Sequence, residues 1–370
     1  MKKIAVIGGD GTGPEVVSEG VKVLNAVSKR HDISLELLPM DINGERYLRT
    51  GDILTDQDLE QLNTSDAIYL GAIGHPDIQP GVLERGILLK LRFDLDQYIN
   101  YRPVKLYPNV DSPIKHVTPE AIDYVVIREN TGGLYSGIGE FKEKNTPNEV
   151  ATQAMVYTYK QVERCIRFAF ETVKKRHQST PWRGLSQDQV SKGMIGQLTL
   201  CGKTNVLTYV FDLWERVFHD VAKEYPTINT NYTHVDAVCV HMIERPEIFD
   251  VIVTSNMFGD IITDLAAVTQ GGMGVAASGN INPDGVSMFE PIGGTAPLFT
   301  GKNEINPIAA ISAAHLMLDH LGFNEAADHV ESAKIKVIQQ MKSMLAGKMG
   351  FKTTEIGNMI CNEIYHMAHF

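Results

Sequence analysis

Cysteine is scarce in this chain, and its few copies lie far apart. Cys165, Cys201, Cys239 and Cys361 form no CxxC pair and no closely spaced even set. That excludes a disulfide scaffold and a cysteine-built zinc cluster, and points to a reducing compartment. An excess of positive charge is missing too. Lys plus Arg number 34 against 45 Asp plus Glu, a formal net charge of −11. Nucleic acid needs a basic face and an anionic membrane surface needs a polybasic one, so neither partner is expected. No run of 18 apolar residues occurs, so no membrane-spanning helix is expected. The apolar start Ile4-Ala5-Val6-Ile7 stops at Gly8-Gly9-Asp10, too soon for the core of a signal peptide. Internal repeats and low-complexity tracts are absent as well. The expectation is a soluble cytoplasmic protein of 370 residues, long enough for two domains.

What is present is alternation. Strand-length apolar runs at 3–7, 67–70, 124–127 and 249–253 are separated by amphipathic stretches. Residues 14–28 carry Val16, Val17, Val21, Val23 and Leu24 at mostly helical spacing. Such βα alternation predicts an α/β fold with a largely parallel sheet. Residues 136–148 and 176–193 are polar and turn-rich, and predict surface loops. The stretch 325–370 reads as mostly helical, with breaks at Gly347, Gly350 and Gly357.

Gly9-Asp10-Gly11-Thr12-Gly13-Pro14-Glu15 follows the first strand and opens a helix. It is not a dinucleotide fingerprint, because Pro14 stands where G-x-G-x-x-G requires Gly or Ala. Proline suits the first turn of a helix. The expectation is therefore a tight strand–turn–helix junction and not a standard Rossmann site.

The strongest chemical signal is Asn256-Met257-Phe258-Gly259-Asp260-Ile261-Ile262-Thr263-Asp264. Asp260 and Asp264 are four apart, so a helix places both on one face. Two like charges there repel unless a cation or an arginine intervenes. Asp236 lies beside another apolar run. Three carboxylates without thiols suit a hard ion such as Mg²⁺ or Mn²⁺, although a solvated helix face remains open. Arg92, Arg102 and Arg128 could grip carboxylates bidentately or simply form surface ion pairs. Lys203 is either an exposed lysine or a partly buried base.

Read together, these segments resemble the metal-dependent β-decarboxylating dehydrogenases, which act on isocitrate, isopropylmalate, tartrate or D-malate, and homoisocitrate. The opening glycine loop, the 256–264 segment and Glu290-Pro291-Ile292-Gly293-Gly294-Thr295-Ala296-Pro297 carry the resemblance over nearly the whole chain. Gly81 to Leu89, Lys203 to Thr208 and Ala276 to Ile281 are similar to the actinobacterial isopropylmalate branch. The resemblance implies two non-Rossmann α/β domains, about 1–98 with 271–370 and about 99–270. It also implies a homodimer with an arm at about 136–150 and an active site shared between subunits. Asp260 and Asp264, with Asp236 of the partner subunit, would hold the metal. Tyr135 and Lys203 would be catalytic. Arg92, Arg102, Arg128, Asp236, Leu88 and Leu89 would bind substrate. Gly294, Thr295, Ala296, Pro297, Leu298 and Asn306 would bind the cofactor.

Leu88 and Leu89 offer an apolar wall where isocitrate enzymes hold a third carboxylate, so isopropylmalate ranks first, D-malate or tartrate second and isocitrate third. Gly293 and Leu298 depart from the histidine and aspartate that the family uses toward NAD, and no basic residue replaces them for NADP. NAD is the expected cofactor, since an unpaired 2′-phosphate is the harder group to bind. That altered loop leaves a degenerate, non-catalytic relative as the alternative.

Overall fold

A computed structural model describes residues 1–366. The strands in chain order are β1 (Lys2–Gly9), β2 (Leu35–Met40), β3 (Ala67–Ala72), β4 (Ile99–Lys105), β5 (Asp123–Glu129), β6 (Gly139–Lys142), β7 (Val150–Gln153), β8 (Gly196–Gly202), β9 (Ile228–His234), β10 (Val251–Thr254), β11 (Ala277–Ile281) and β12 (Ser287–Pro291). Two compact units emerge. The first comprises Met1–Gln97, Lys105–Pro119 and residues from Ala267 onward, and the second comprises Tyr98–Val104 and Glu120–Ala266.

In the first unit the strand order is β2-β1-β3-β12-β11. β1 runs parallel to β2 and β3, β12 runs parallel to β3, and β11 is antiparallel to β12. Every residue of β3 is buried, which explains its unbroken apolar run: both faces of a parallel strand are covered. The helix Gly13–His31 begins with Pro14 in its first turn and buries Val16, Val17, Val23, Leu24 and Val27. That face packs on the helices Ile308–His320 and Thr353–His366. The last four positions of the helical stretch expected over 325–370 lie outside the described residues.

The boundaries expected near 98 and 270 assign 105–119 to the middle unit, whereas in the structure that segment joins the chain ends. A polar network holds it there. The Lys105 N–H donates to Gln270 Oε1 at 2.8 Å, and Lys105 Nζ lies 3.0 Å from Glu331. Lys334 is buried, donates to Ser312 Oγ at 3.0 Å, contacts Glu331 at 2.5 Å and sits 4.8 Å from the Tyr107 ring centre. None of these polar residues forms a motif that a linear reading would join.

The second unit orders its strands β4-β5-β10-β8-β9, with β5, β10, β8 and β9 mutually parallel. Their registers matter for function. Thr254 of β10 pairs with Arg128 of β5, and Gly202 of β8 pairs with His234 of β9. The carboxyl ends of four strands are therefore level, which is where open α/β sheets bind ligands. β6 and β7 form a separate antiparallel hairpin whose residues are all exposed. The polar excursion after the helix Tyr159–Arg176 is an ordered loop with a short helix, Gln187–Ser191. Its ends are joined: Trp182 N–H donates to Ile195 O at 2.7 Å, while His177 Nε2 and Gln197 N–H meet the buried Asp250 at 2.8 and 2.9 Å.

His315 lies 4.0 Å from Glu331 in the network described above. Burial, followed by the charge of Lys334, pushes its pKa down to about 4. The unfolded chain then binds the extra proton first, so stability falls as pH drops from 6.5 toward 4. The loss amounts to roughly 3 kcal/mol once both states are protonated. Thermal melts across that range are expected to show the decline in the wild type and a flatter limb in His315→Gln.

Candidate active site

The site in the second unit grows from the ends of β5 and β10. Arg128 is the penultimate residue of β5 and only 1% exposed. A guanidinium so removed from water needs acceptors for its donors. Asn256, which begins the helix Asn256–Thr269 just beyond β10, supplies one: its Oδ1 accepts from Arg128 Nε at 3.1 Å and Nη2 at 2.8 Å. One turn later Asp260 Oδ1 meets Arg128 Nη1 at 2.5 Å. The helix can come this close because Gly259 has no side chain, since a Cβ there would stand 2.5 Å from Arg128 Cγ. Asn256 is itself fixed. Its N–H donates to the Tyr157 hydroxyl at 2.8 Å and its Nδ2 to Gly132 O at 3.2 Å.

Tyr135 completes the group. It sits in a single 3₁₀ turn, Leu134–Ser136, flanked by Gly133 and Gly137, both at φ +72°. Its hydroxyl donates to Asp260 Oδ2 at 2.6 Å, and the Arg128 guanidinium lies 5.3 Å from its ring centre. Burial disfavours the Asp260 charge, yet Arg128, the Tyr135 hydroxyl and Arg102 outweigh it and hold the carboxyl below its ordinary value. Arg102, on β4, is buried and donates from Nε to Asn100 Oδ1 at 2.7 Å. Asp264 lies one further turn along the same helix and is exposed.

Lys203 and Asp236 form a second pair, with Nζ 2.7 Å from Oδ1. The β8–β9 register explains it, because Lys203 directly follows Gly202 and Asp236 lies two residues after His234. The hydrogen bond from Lys203 lowers the Asp236 pKa. Among the described residues no three His, Cys, Asp or Glu side chains of one chain converge into a metal cage. Asp260 and Asp264 alone still fit a hard divalent cation, as all-oxygen donors one turn apart with coordination positions left for other ligands.

In the first unit, a cavity of about 290 Å³ is lined largely by apolar and glycine residues, among them Gly271–Gly274, Gly293, Gly294, Ala296, Asn306 and Met344–Ala346. It contains three of the six residues expected to meet the cofactor. Thr295 and Pro297 instead line a neighbouring cavity of about 230 Å³ with His75 and Glu84, and Leu298 is 79% exposed. The Asn306 amide is already engaged, donating to Met344 O at 2.9 Å and accepting from Ile308 N–H at 3.0 Å, so it shapes the cavity wall. Thr12 and Gly13 of the glycine loop also line this cavity. The expected strand–turn–helix junction, between β1 and the helix Gly13–His31, thus also forms part of a cavity wall.

Leu88 and Leu89 end a six-residue π-helical turn, Glu84–Leu89, and Leu88 packs partly against the buried core. Arg92 Nη2 lies 3.6 Å from Glu290, so it is salt-bridged within its own unit. Sequence reasoning missed Asn256 as the Arg128 clamp, Tyr157 beneath it, and the 271–274 and 344–346 cavity walls. Asn256 stood inside the quoted motif. The cavity walls carry no motif signal.

The second unit thus clamps a strand-end cation, Arg128, to the carboxylate of Asp260 on the following helix, and the Tyr135 hydroxyl meets the same carboxylate. The chain belongs to the isocitrate/isopropylmalate dehydrogenase family, whose model matches residues 3–360. It is 46% identical to a 3-isopropylmalate dehydrogenase of Thermobifida fusca over 98% of this chain and 97% of the relative. It is likewise 46% identical to one from Streptomyces coelicolor over 98% of each chain. The crystal structure of isocitrate dehydrogenase from Methylococcus capsulatus is similar, with a TM-score of 0.82 and 30% identity over 98% of this chain and 99% of that one.

Asn256→Ala removes the acceptor shared by two buried donors of Arg128. It is expected to cost about 2 kcal/mol, read as a lower midpoint in chemical denaturation. Asp264→Asn, at an exposed position, is expected to stay within about 0.5 kcal/mol of wild type.

Proposed function

We propose that the chain oxidises and decarboxylates 3-isopropylmalate to 4-methyl-2-oxopentanoate with reduction of NAD, a step of leucine biosynthesis. The observation that carries the reading is the Arg128–Asp260–Tyr135 group, which joins a carboxylate grip, a metal ligand and a proton donor at one point. Full-length similarity to named isopropylmalate enzymes supports the substrate. The apolar Leu88 and Leu89, which offer no partner for a third carboxylate, support it too.

The residues divide the work by chemistry. Arg102 and Arg128 bind substrate carboxylate, and the family resemblance gives Arg92 the same role. Tyr135 holds a transferable proton at its Oη, hydrogen-bonded to Asp260. By the family resemblance the base for the substrate hydroxyl would be Lys203 of the partner subunit, which stands 2.7 Å from Asp236 of its own chain. A bound Mg²⁺ or Mn²⁺ on Asp260 and Asp264, with Asp236 of the partner subunit, would acidify that hydroxyl and stabilise an enolate as a Lewis acid. The nicotinamide supplies the hydride acceptor.

A homodimer accounts for the apolar surface of the second unit. Tyr209 is 91% exposed and Val206 64%, and both line an open groove of about 650 Å³ with Met257, Phe258 and Ile261. An isolated two-stranded hairpin such as β6–β7 is marginal alone and gains by pairing. In solution the protein is expected to sediment as a dimer.

The direct test is nucleotide reduction with Mg²⁺ and 3-isopropylmalate, D-malate, tartrate or isocitrate, using NAD⁺ and NADP⁺. Turnover led by 3-isopropylmalate is expected. A lead for D-malate or tartrate would move the substrate, and none at all would make the chain a degenerate relative. Tyr135→Phe and Lys203→Met are each expected to lower kcat by about 10²–10⁴. Among the described residues no acidic side chain lines the 290 Å³ cavity, so discrimination against NADP⁺ should be slight. Leu298→Asp should sharpen it, measured as the ratio of kcat/KM for the two nucleotides.

A further inference from the structure

The 293–303 loop contributes Gly293, Gly294 and Ala296 to the cavity wall, yet its backbone is not at ease. Ala296 stands at φ +40° and Asn303 at φ +56°, left-handed positions that a non-glycine residue keeps only under constraint. The constraints are identifiable. At its start, Thr295 O accepts from Thr12 N–H at 2.9 Å and Thr12 Oγ1 at 3.1 Å. At its end, Asn303 exchanges hydrogen bonds with Thr354 at 3.0 Å and accepts the Thr353 N–H at 3.0 Å. Between these anchors one side chain reaches the middle of the return. Glu15 Oε1 accepts the Gly301 N–H, and its Oε2 accepts the Asn303 N–H at 3.2 Å. A carboxylate can take two adjacent amides at once, which a neutral amide cannot do without turning a donor toward a donor.

We propose that Glu15 is a positioning residue for the nicotinamide cofactor: its carboxylate clasps the Gly301 and Asn303 amides and so sets the loop that walls the 290 Å³ cavity. The proposal rests on reading that cavity as the cofactor site. Glu15 touches neither substrate nor metal ligands. Its effect should therefore fall on cofactor affinity and leave the chemical step alone.

The test compares Glu15→Ala and Glu15→Gln with wild type. Three quantities are read: amide hydrogen exchange at 297–303 without ligand, NAD⁺ binding by fluorescence titration, and steady-state constants with 3-isopropylmalate and Mg²⁺. In Glu15→Ala the Gly301 and Asn303 amides should exchange faster. The NAD⁺ dissociation constant and KM should rise about tenfold, the scale of one charge-assisted hydrogen bond. kcat and the 3-isopropylmalate KM should stay within about twofold, since neither group is touched. Glu15→Gln keeps one acceptor and should fall between. Unchanged exchange, unchanged NAD⁺ affinity, or an equal rise in both KM values would overturn the clasp. A wild type that binds no NAD⁺ would overturn the cofactor reading beneath it, and is told apart because the wild type alone reveals it. Should Glu15→Ala not fold, Glu15→Gln carries the same comparison.

Discussion

A guanidinium held almost wholly out of water is the constraint around which the second unit is built. Arg128 must have its donors met, and the acceptors come from a distant helix that carries Asn256 and Asp260, while Tyr135, seven residues on, places its ring nearby. Meeting that demand fixes the helix start against β5, requires glycine at 259, and leaves Asp264 facing outward one turn on. The same bonds that satisfy a buried charge therefore aim a pair of carboxylates. On the proposed reading, binding and folding share atoms here, and the hydrogen bonds that satisfy Arg128 also hold the groups that would meet a ligand.

Much of this was legible in the chain as written. The i, i+4 spacing of Asp260 and Asp264 announces a shared helical face, and the apolar runs announce buried parallel strands. Tyr135 among glycines and Lys203 before an apolar stretch carried no such signal of their own, and drew their expected roles from the family resemblance. What periodicity could not supply is register. The pairing of Lys203 with Asp236, 33 residues apart, exists because Gly202 and His234 are opposite each other in adjacent strands. The pairing of Arg128 with Asn256 has the same origin in the level of Thr254 with Arg128. Register is a property of two strands at once, and a linear reading sees them one at a time.

The cavity of the first unit was harder to foresee for a different reason. A cavity wall of glycine, alanine and methionine has no distinctive chemistry, so the 271–274 and 344–346 segments leave no mark in the sequence. The departures at Gly293 and Leu298 were visible, but their geometry was not: one lines the cavity and the other projects from it. The glycine loop taught a related lesson. Its spacing does not fit a dinucleotide fingerprint, and its residues Thr12 and Glu15 turn out to brace the 293–303 loop instead.

The long polar excursion closes on itself. Trp182 meets Ile195 across its neck, and Asp250 ties His177 to Gln197 below. To the rest of the polypeptide such a loop has almost no length, because its two ends are neighbours whatever lies between them. Its residue count is thus free to drift over evolutionary time without altering the strands on either side. The same closure makes it a natural port for grafting a peptide tag or a reporter domain, with the Asp250 knot insulating the sheet from whatever is installed.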